Sequence, residues 1–332
     1  MTNTIITATD DKVTILMATY NGAKYIQKQF DSIINQTYTH WELIVRDDGS
    51  NDDTVAIIKS NAAADDRILL IDVKSSGRGA CSNFSALYAW AKENRAINYL
   101  MFTDQDDVWK ADKVKKTLQL LKSDEHKTPG IPLLAYGNLQ LVDDNLQVLP
   151  ETISLIKDFK LKHVLSRNYA FGCTMMLNKQ LLTAMDEIYA EASNHDYWVA
   201  LFAAAFGKTI FIEEELILYR QHDSNVSGHT IGNQKMNNRI KRYTSGVNKQ
   251  IEEEKVKLKM LGVFYNKYKS DMVPGNKKLL FALLSSFNSS RLAVIATMMV
   301  NGITRKGFIQ TLVSYYFVLV FYTEIKYKFA AV

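Results

Sequence analysis

Two short runs in this chain end where chemistry can begin. WELIVRDDGS at residues 41–50 and YLMFTDQDDVW at 99–109 are each apolar and strand-like, then break into carboxylates. Asp47, Asp48, Asp104, Asp106 and Asp107 are therefore expected at strand ends, where an open α/β sheet presents its ligands. Two acidic clusters about 55 residues apart suggest a single site for a nucleotide and its metal-masked phosphates, because oxygen donors suit Mg²⁺ or Mn²⁺. A module that only binds a partner has little reason to gather five such groups.

The elements that must position these residues follow from periodicity. VTILMATYN (13–21), WELIVRD (41–47), RILLIDV (67–73) and INYLMFTD (97–104) read as buried strands. GAKYIQKQFDSIINQ (22–36), DDTVAIIKSNAA and CSNFSALYAWAKE (81–93) read as helices between them. Ser50 with Asp53 three residues later suggests a capping box. This alternation predicts a mostly parallel sheet with helices on both faces. ATYNGAKY follows the first strand without GxGxxG, which disfavours NAD or FAD. Further on, a helix is expected over 110–123 and strands at LLAYGNLQLVD and FGCTMMLNK. Helices are expected at 180–190 and 197–206, and strand and loop through KTIFIEEELILYRQH.

Composition narrows the class. Four prolines and fifteen glycines in 332 residues, with 47% apolar content, indicate a folded globular chain. Cys81 and Cys173 are too few for a disulfide framework and read as reduced thiols. The start has no basic stretch followed by an apolar core, so no signal peptide is expected. Charge divides unevenly. Residues 1–234 hold 23 Lys+Arg against 30 Asp+Glu, net −7, whereas residues 235–332 hold 17 against 5, net +12. The basic tail lacks a regular aromatic-and-basic stripe, so nucleic acid is not an expected partner.

The ordered set VTILMATYNGAKYIQKQFDSIINQTY, WELIVRDDGSNDDT, GRGACSNF, FTDQDDVW, AFGCTMMLNK, NHDYW and LYRQHDSNVSG resembles the family 2 inverting glycosyltransferases of GT-A fold, over roughly residues 12–228. The forms TDQDDVW and YRQHDSNVSG look most like bacterial rhamnosyltransferases of cell-wall or O-antigen polysaccharide synthesis. The resemblance implies a Rossmann-like, mostly parallel mixed sheet over 1–234 and a helical region over 235–332. It implies that Thr19, Tyr20 and Asn21 line the base pocket and that Asp48 accepts the N3–H of uracil or thymine, disfavouring cytosine. Arg78, Asn83, Asp104, Gln105 and Arg220 would hold the rest of the nucleotide sugar. Asp106 with His222 would bind Mn²⁺ or Mg²⁺, and Asp107 would support the loop or cap a helix. Asp196 would be the general base, with Trp109, His195 and Trp198 as acceptor-site candidates. No QxxRW-like signature follows residue 196, so one linkage per encounter is expected.

The function so implied is transfer of L-rhamnose from dTDP-β-L-rhamnose to a lipid-linked saccharide. UDP-hexose or UDP-GlcNAc is the alternative donor, and a non-catalytic carbohydrate- or membrane-binding subunit ranks below both. The tail segments LLFALLSSF, LAVIATMMV and FIQTLVSYYFVLVFY are shorter than the ~20 residues that span a bilayer. With Arg305, Lys306, Lys326 and Lys328 at their flanks, they predict peripheral attachment to the cytoplasmic membrane surface, a homodimer contact, or both.

Overall fold

Alternation along the first strand sets the architecture. In β1 (Val13–Thr19), Val13, Ile15 and Met17 face one apolar core and Leu16 faces another. A strand buried on both faces belongs inside a layered α/β domain. The computed structural model describes residues 11–153, 155–222 and 239–331.

After β1 come α1 (Ile26–Ile34), β2 (Trp41–Asp47), α2 (Thr54–Ala64), β3 (Ile68–Ile71), α3 (Ala80–Asn94) and β4 (Tyr99–Thr103). The chain continues through β5 (Val108–Trp109), α4 (Lys113–Lys127), β6 (Leu133–Gly137), β7 (Gln140–Val142), α5 (Leu161–Val164) and β8 (Met176–Asn178). Then follow α6 (Lys179–Ala184), α7 (His195–Phe206), β9 (Lys208–Ile212) and β10 (Ile217–Arg220). The large sheet has the order β3-β2-β1-β4-β8-β6-β9. Its pairs are parallel except β4–β8 and β6–β8, so the expected mixed, mostly parallel sheet is present. Helices α1 and α4 cover one face, and α3 and α7 the other.

Several local expectations are corrected. LLAYGNLQLVD is not one strand. Gly137 ends β6 so close to Ile212 that an added β-carbon would lie 3.0 Å from its carbonyl oxygen, and the chain turns there into a second sheet. FGCTMMLNK forms a 3₁₀ turn at Gly172–Thr174 before the short β8. The helix expected over 180–190 stops at Ala184. No Ser50–Asp53 capping box forms. Ser50 bonds to Asp47, and Asp52 accepts from the Thr54 amide instead.

The second sheet, β5-β10-β7, is small but positions the site. β5 starts directly after Asp107, and β10 ends two residues before His222. Their antiparallel pairing therefore brings two distant acidic and imidazole segments together.

The chain after 238 forms α8 (Arg239–Tyr268), α9 (Pro274–Ser286), α10 (Arg291–Val300) and α11 (Phe308–Ile325). These helices are not a separate unit resting beside the sheet domain. Leu258, Phe264, Tyr268, Leu284 and Phe317 lie in the same apolar cluster as Trp198 and Phe202 of α7. The Tyr268 hydroxyl donates to Asp186, and Asn276 donates to the Ala205 carbonyl. The boundary expected at residue 234 lies outside the described residues, as does the DSNVSG part of the last motif.

Candidate active site

The carboxyl ends of β1, β2 and β4 lie together at one edge of the sheet. At the end of β2 the two aspartates divide their tasks. Asp47 accepts from the amides of Gly49 and Ser50 and from the hydroxyls of Thr19 and Ser50. It is the turn-former. Asp48 accepts from Arg46 Nη1 at 3.1 Å and from the Gly79 amide at 2.9 Å. Arg46, buried at the strand end, also donates to Asn83 Oδ1 and the Val73 carbonyl. Motif reading passes over Arg46. Its signal is a charged residue that directly follows the apolar run Leu43–Val45 inside a strand and must find partners.

At the end of β1, Tyr20 is half exposed. Its amide and carbonyl pair with Gln105 Oε1 and Nε2, both at 2.9 Å, which ties the first strand to the loop of Asp104, Asp106 and Asp107. Gly22 leaves room for this brace, because an added β-carbon would lie 2.3 Å from Gln105 Oε1 and displace the amide. Asn21 takes a positive φ of 47° and accepts from the Asn51 amide, fixing the two turns together. Gln105 and Asn21, expected on the donor, thus act first as braces. Arg78 is exposed on the loop before α3.

Asp106 and His222 meet, with Oδ2 and Nε2 2.8 Å apart. The imidazole is stacked on Tyr25 at 4.8 Å, and Tyr25 is fixed by its hydroxyl to Asp144 at 2.6 Å. Burial, then the charges of Asp106 and Asp196, push Asp104 up to about 8. Asp107 lies deeper, its Oδ1 3.3 Å from the Arg220 amide, so its loop-supporting role is the one seen. Burial and then Asp106 and Asp104 raise its carboxyl.

Beneath the loop lies a group that the sequence does not reveal. Lys113 is buried, with Nζ 3.7 Å from the Trp109 ring centroid and no hydrogen-bond partner among the described residues. Burial pushes its amine down to about 7, against the charges of Cys173 and Asp107. Ligand atoms of Asp104, Asp107 and Cys173 lie within 4.8 Å of one another. Nothing in the spacing of 104, 113 and 173 announces this cluster; only the β4–β8 pairing creates it.

Two groups therefore offer metal ligands. Asp106 and His222 have oxygen and imidazole donors with partly open side chains, which fit Mn²⁺ or Mg²⁺. The deeper group includes a soft thiol and the nearby Lys113 amine, and fits a hard cation less well.

Asp196 stands in the first turn of α7, near enough to Asp104 for its charge to act there. Its Oδ2 accepts from the Gly172 amide at 3.1 Å, while Oδ1 has no hydrogen-bond partner among the described residues. Burial pushes this carboxyl up to about 7, opposed by the Gly172 and Tyr197 amides.

Four expected ligand contacts are corrected. Trp198 is fully buried and its indole donates to the Glu187 carbonyl, so it presents no sugar platform. Trp109 is buried under Lys113. His195 is buried with its ring 3.9 Å from that of Phe84, and burial pushes its imidazole down to about 3. Arg220 is buried too, and its guanidinium donates to the carbonyls of Asp106 and Asp144. It holds the loop. All four are large side chains near the site, and packing claims them before a ligand can.

Comparison with known proteins agrees with this geometry. The model described as glycosyl transferase family 2 matches residues 14–177. The chain is 27% identical over 198 residues to the Escherichia coli UDP-Glc:α-D-GlcNAc-diphosphoundecaprenol β-1,3-glucosyltransferase WfgD, covering 58% of this chain and 70% of that protein. It is 29% identical over 235 residues to the Shigella flexneri dTDP-rhamnosyl transferase RfbG, covering 65% of this chain and 74% of that protein. Several other curated relatives are matched over less than two thirds of their length. The crystal structure of Staphylococcus aureus TarS 1–349 with UDP-GlcNAc shares the fold. Its TM-score is 0.55 at 15% identity, over 95% of this chain and 82% of that one.

Proposed function

We propose that the chain, whose residues 14–177 match the model described as glycosyl transferase family 2, transfers a hexose or N-acetylhexosamine from its uridine diphosphate donor to a lipid-linked saccharide, inverting the anomeric carbon. The observation that carries this reading is the position of Asp196. It is a carboxylate in the first turn of α7 with a pKa raised to about 7, close enough to Asp104 to raise that group as well.

Each residue then has a task. Asp48, oriented by Arg46 and the Gly79 amide, accepts the N3–H of the pyrimidine. Asp104 faces the ribose, and Asn83 keeps the β1 and β2 ends together. Asp106 and His222 would hold a divalent cation, which when bound offsets charge on the departing diphosphate. The Asp196 carboxylate takes the proton of the acceptor hydroxyl. The oxygen so freed attacks the anomeric carbon on the face opposite the diphosphate, so one displacement inverts the centre.

The donor class is supported by the UDP-Glc named for WfgD, and the lipid-linked acceptor by the diphosphoundecaprenol in the same name. A second reading, dTDP-β-L-rhamnose as donor, is favoured by the longer match to RfbG. Asp48 does not separate the two, since uracil and thymine present the same N3–H. A donor panel with a polyprenyl-diphosphate saccharide acceptor, assayed with and without Mn²⁺ or Mg²⁺, tests both. Release of UDP selects the first reading and of dTDP the second. Release of neither would reject transferase activity. NMR of the product should show the opposite anomeric configuration from the donor.

A further inference from the structure

Helix α11 carries its most apolar surface on the outside. Phe308, Ile309, Leu312, Val313, Tyr316, Leu319 and Val320 are exposed, at helical spacings that place them on one face. The opposite face, packed on the protein, includes the polar Thr311 and Ser314 beside Phe317, Val318, Tyr322 and Ile325. This inverts the usual pattern, in which the buried stripe is the greasier one. The exposed strip runs for roughly 18 Å at 1.5 Å per residue and contains no charge. Leu292, Met299 and Val300 of α10 are exposed as well.

We propose that the outward face of α11, with that of α10, lies in the surface of an acidic bilayer, helix axis parallel to the membrane. The helix passes the length and composition criterion for crossing a membrane, but its inner face is already used. The Tyr322 hydroxyl donates to the Phe287 carbonyl at 2.9 Å, and the helix departs from helical geometry at Phe321. A spanning helix would have to abandon these contacts; an interfacial one keeps them. Charge selects the occupant. Residues 235–332 carry net +12, and Lys326 and Lys328 are exposed just beyond the C-terminal end of α11. A second copy would bring two such tails face to face, whereas anionic headgroups neutralise one. Arg305, expected to contribute, instead lies 3.9 Å from Glu254.

The face is connected to the proposed base. The Lys306 amide donates to the Tyr169 hydroxyl at 3.1 Å and its amine to the Leu155 carbonyl at 2.6 Å. Tyr169 lies three residues before Gly172, whose amide holds Asp196. Docking by α11 would thus set the acceptor side of the site toward the bilayer that carries the acceptor. This part rests on the proposed function; the docking itself does not.

The test reads membrane binding without turnover. Full-length protein should float with vesicles of phosphatidylglycerol and phosphatidylcholine, and much less with phosphatidylcholine alone. Phe308→Glu with Val313→Glu should lower partitioning about a hundred-fold or more, with circular dichroism and Tm unchanged because both sites are exposed. In Val313→Trp, acyl-chain-brominated lipid should quench the added indole, which checks insertion by a substitution that adds no charge. Failure of the wild type to float, flotation unaffected by the double variant, or an added indole that brominated lipid leaves unquenched would overturn the proposal. So would a dimer that the double variant dissociates without any lipid binding.

Discussion

The Gly172 amide donates to Asp196 Oδ2 at 3.1 Å, and a β-carbon at 172 would lie 2.4 Å from His195 Nε2. The carboxylate is therefore aimed by a backbone group that can approach only because its residue has no side chain. His195, buried and neutral, forms the wall behind it.

Gly172→Ala should accordingly damage turnover more than donor binding. The methyl must push His195 or the first turn of α7 aside, at a stability cost of about 1–3 kcal/mol. We expect kcat to fall about a hundred-fold, a typical result of sub-ångström to 1 Å misplacement, with donor KM little changed. Steady-state kinetics with a soluble acceptor analogue, together with thermal melts, separates the two effects.

The Asp196 carboxyl, raised from its usual range to about 7, predicts a rate that climbs with pH. The base works only when ionised, so kcat/KM should rise tenfold per unit below pH 7 and level off above it. The stability sign is opposite. Between pH 4 and 7 the folded state holds a proton that the unfolded chain has lost, so this group's contribution declines as pH rises through that window. Asp196→Asn should abolish transfer while retaining donor affinity. At pH 8 it should stabilise the fold by roughly 1–2 kcal/mol, less than the full shift implies because the carboxyl is partly open to solvent.

Asp106→Asn and His222→Ala remove the two proposed metal ligands, whose Oδ2 and Nε2 meet at 2.8 Å. Each should weaken Mn²⁺ binding about 10–100-fold and reduce turnover, with partial recovery at high metal concentration. Isothermal titration with Mn²⁺ and UDP reads the affinity independently of catalysis. Full activity of Asp106→Asn after exhaustive chelation would remove the metal assignment.

Arg220→Lys tests whether the buried guanidinium braces the loop. A lysine cannot reach the carbonyls of Asp106 and Asp144 with the same planar fork, and a buried ammonium with fewer partners should cost about 2–4 kcal/mol. If Arg220 instead served only as a phosphate contact, Tm would stay at its wild-type value and KM alone would rise.

The carboxylates are legible in the sequence because each ends an apolar run, and a strand end can be read from periodicity. Their support is not. Lys113, Cys173 and Gly172 gain meaning only when β8 runs antiparallel beside β4 and the small sheet carries His222 to Asp106. The aromatic residues mislead for a different reason. A tryptophan's type says nothing about its exposure, yet HDYWVALFAAAF is apolar around its whole circumference, which marks a helix with no solvent face. That pattern by itself argues for Trp198 in the core. The tail's helices are visible too, but not their attachment, since shared packing between α7 and α8 has no linear signature.

That shared packing has a consequence for how such a chain can be re-engineered. Trp198 follows the proposed base by two residues, and its ring meets Phe264 of α8 at 5.3 Å. One short helix therefore offers its first turn to the reaction and its flank to the tail. The tail is not an interchangeable part. A chimera that imports another protein's C-terminal helices must import a matching outer surface of α7 with them, or the graft will shift the proposed base.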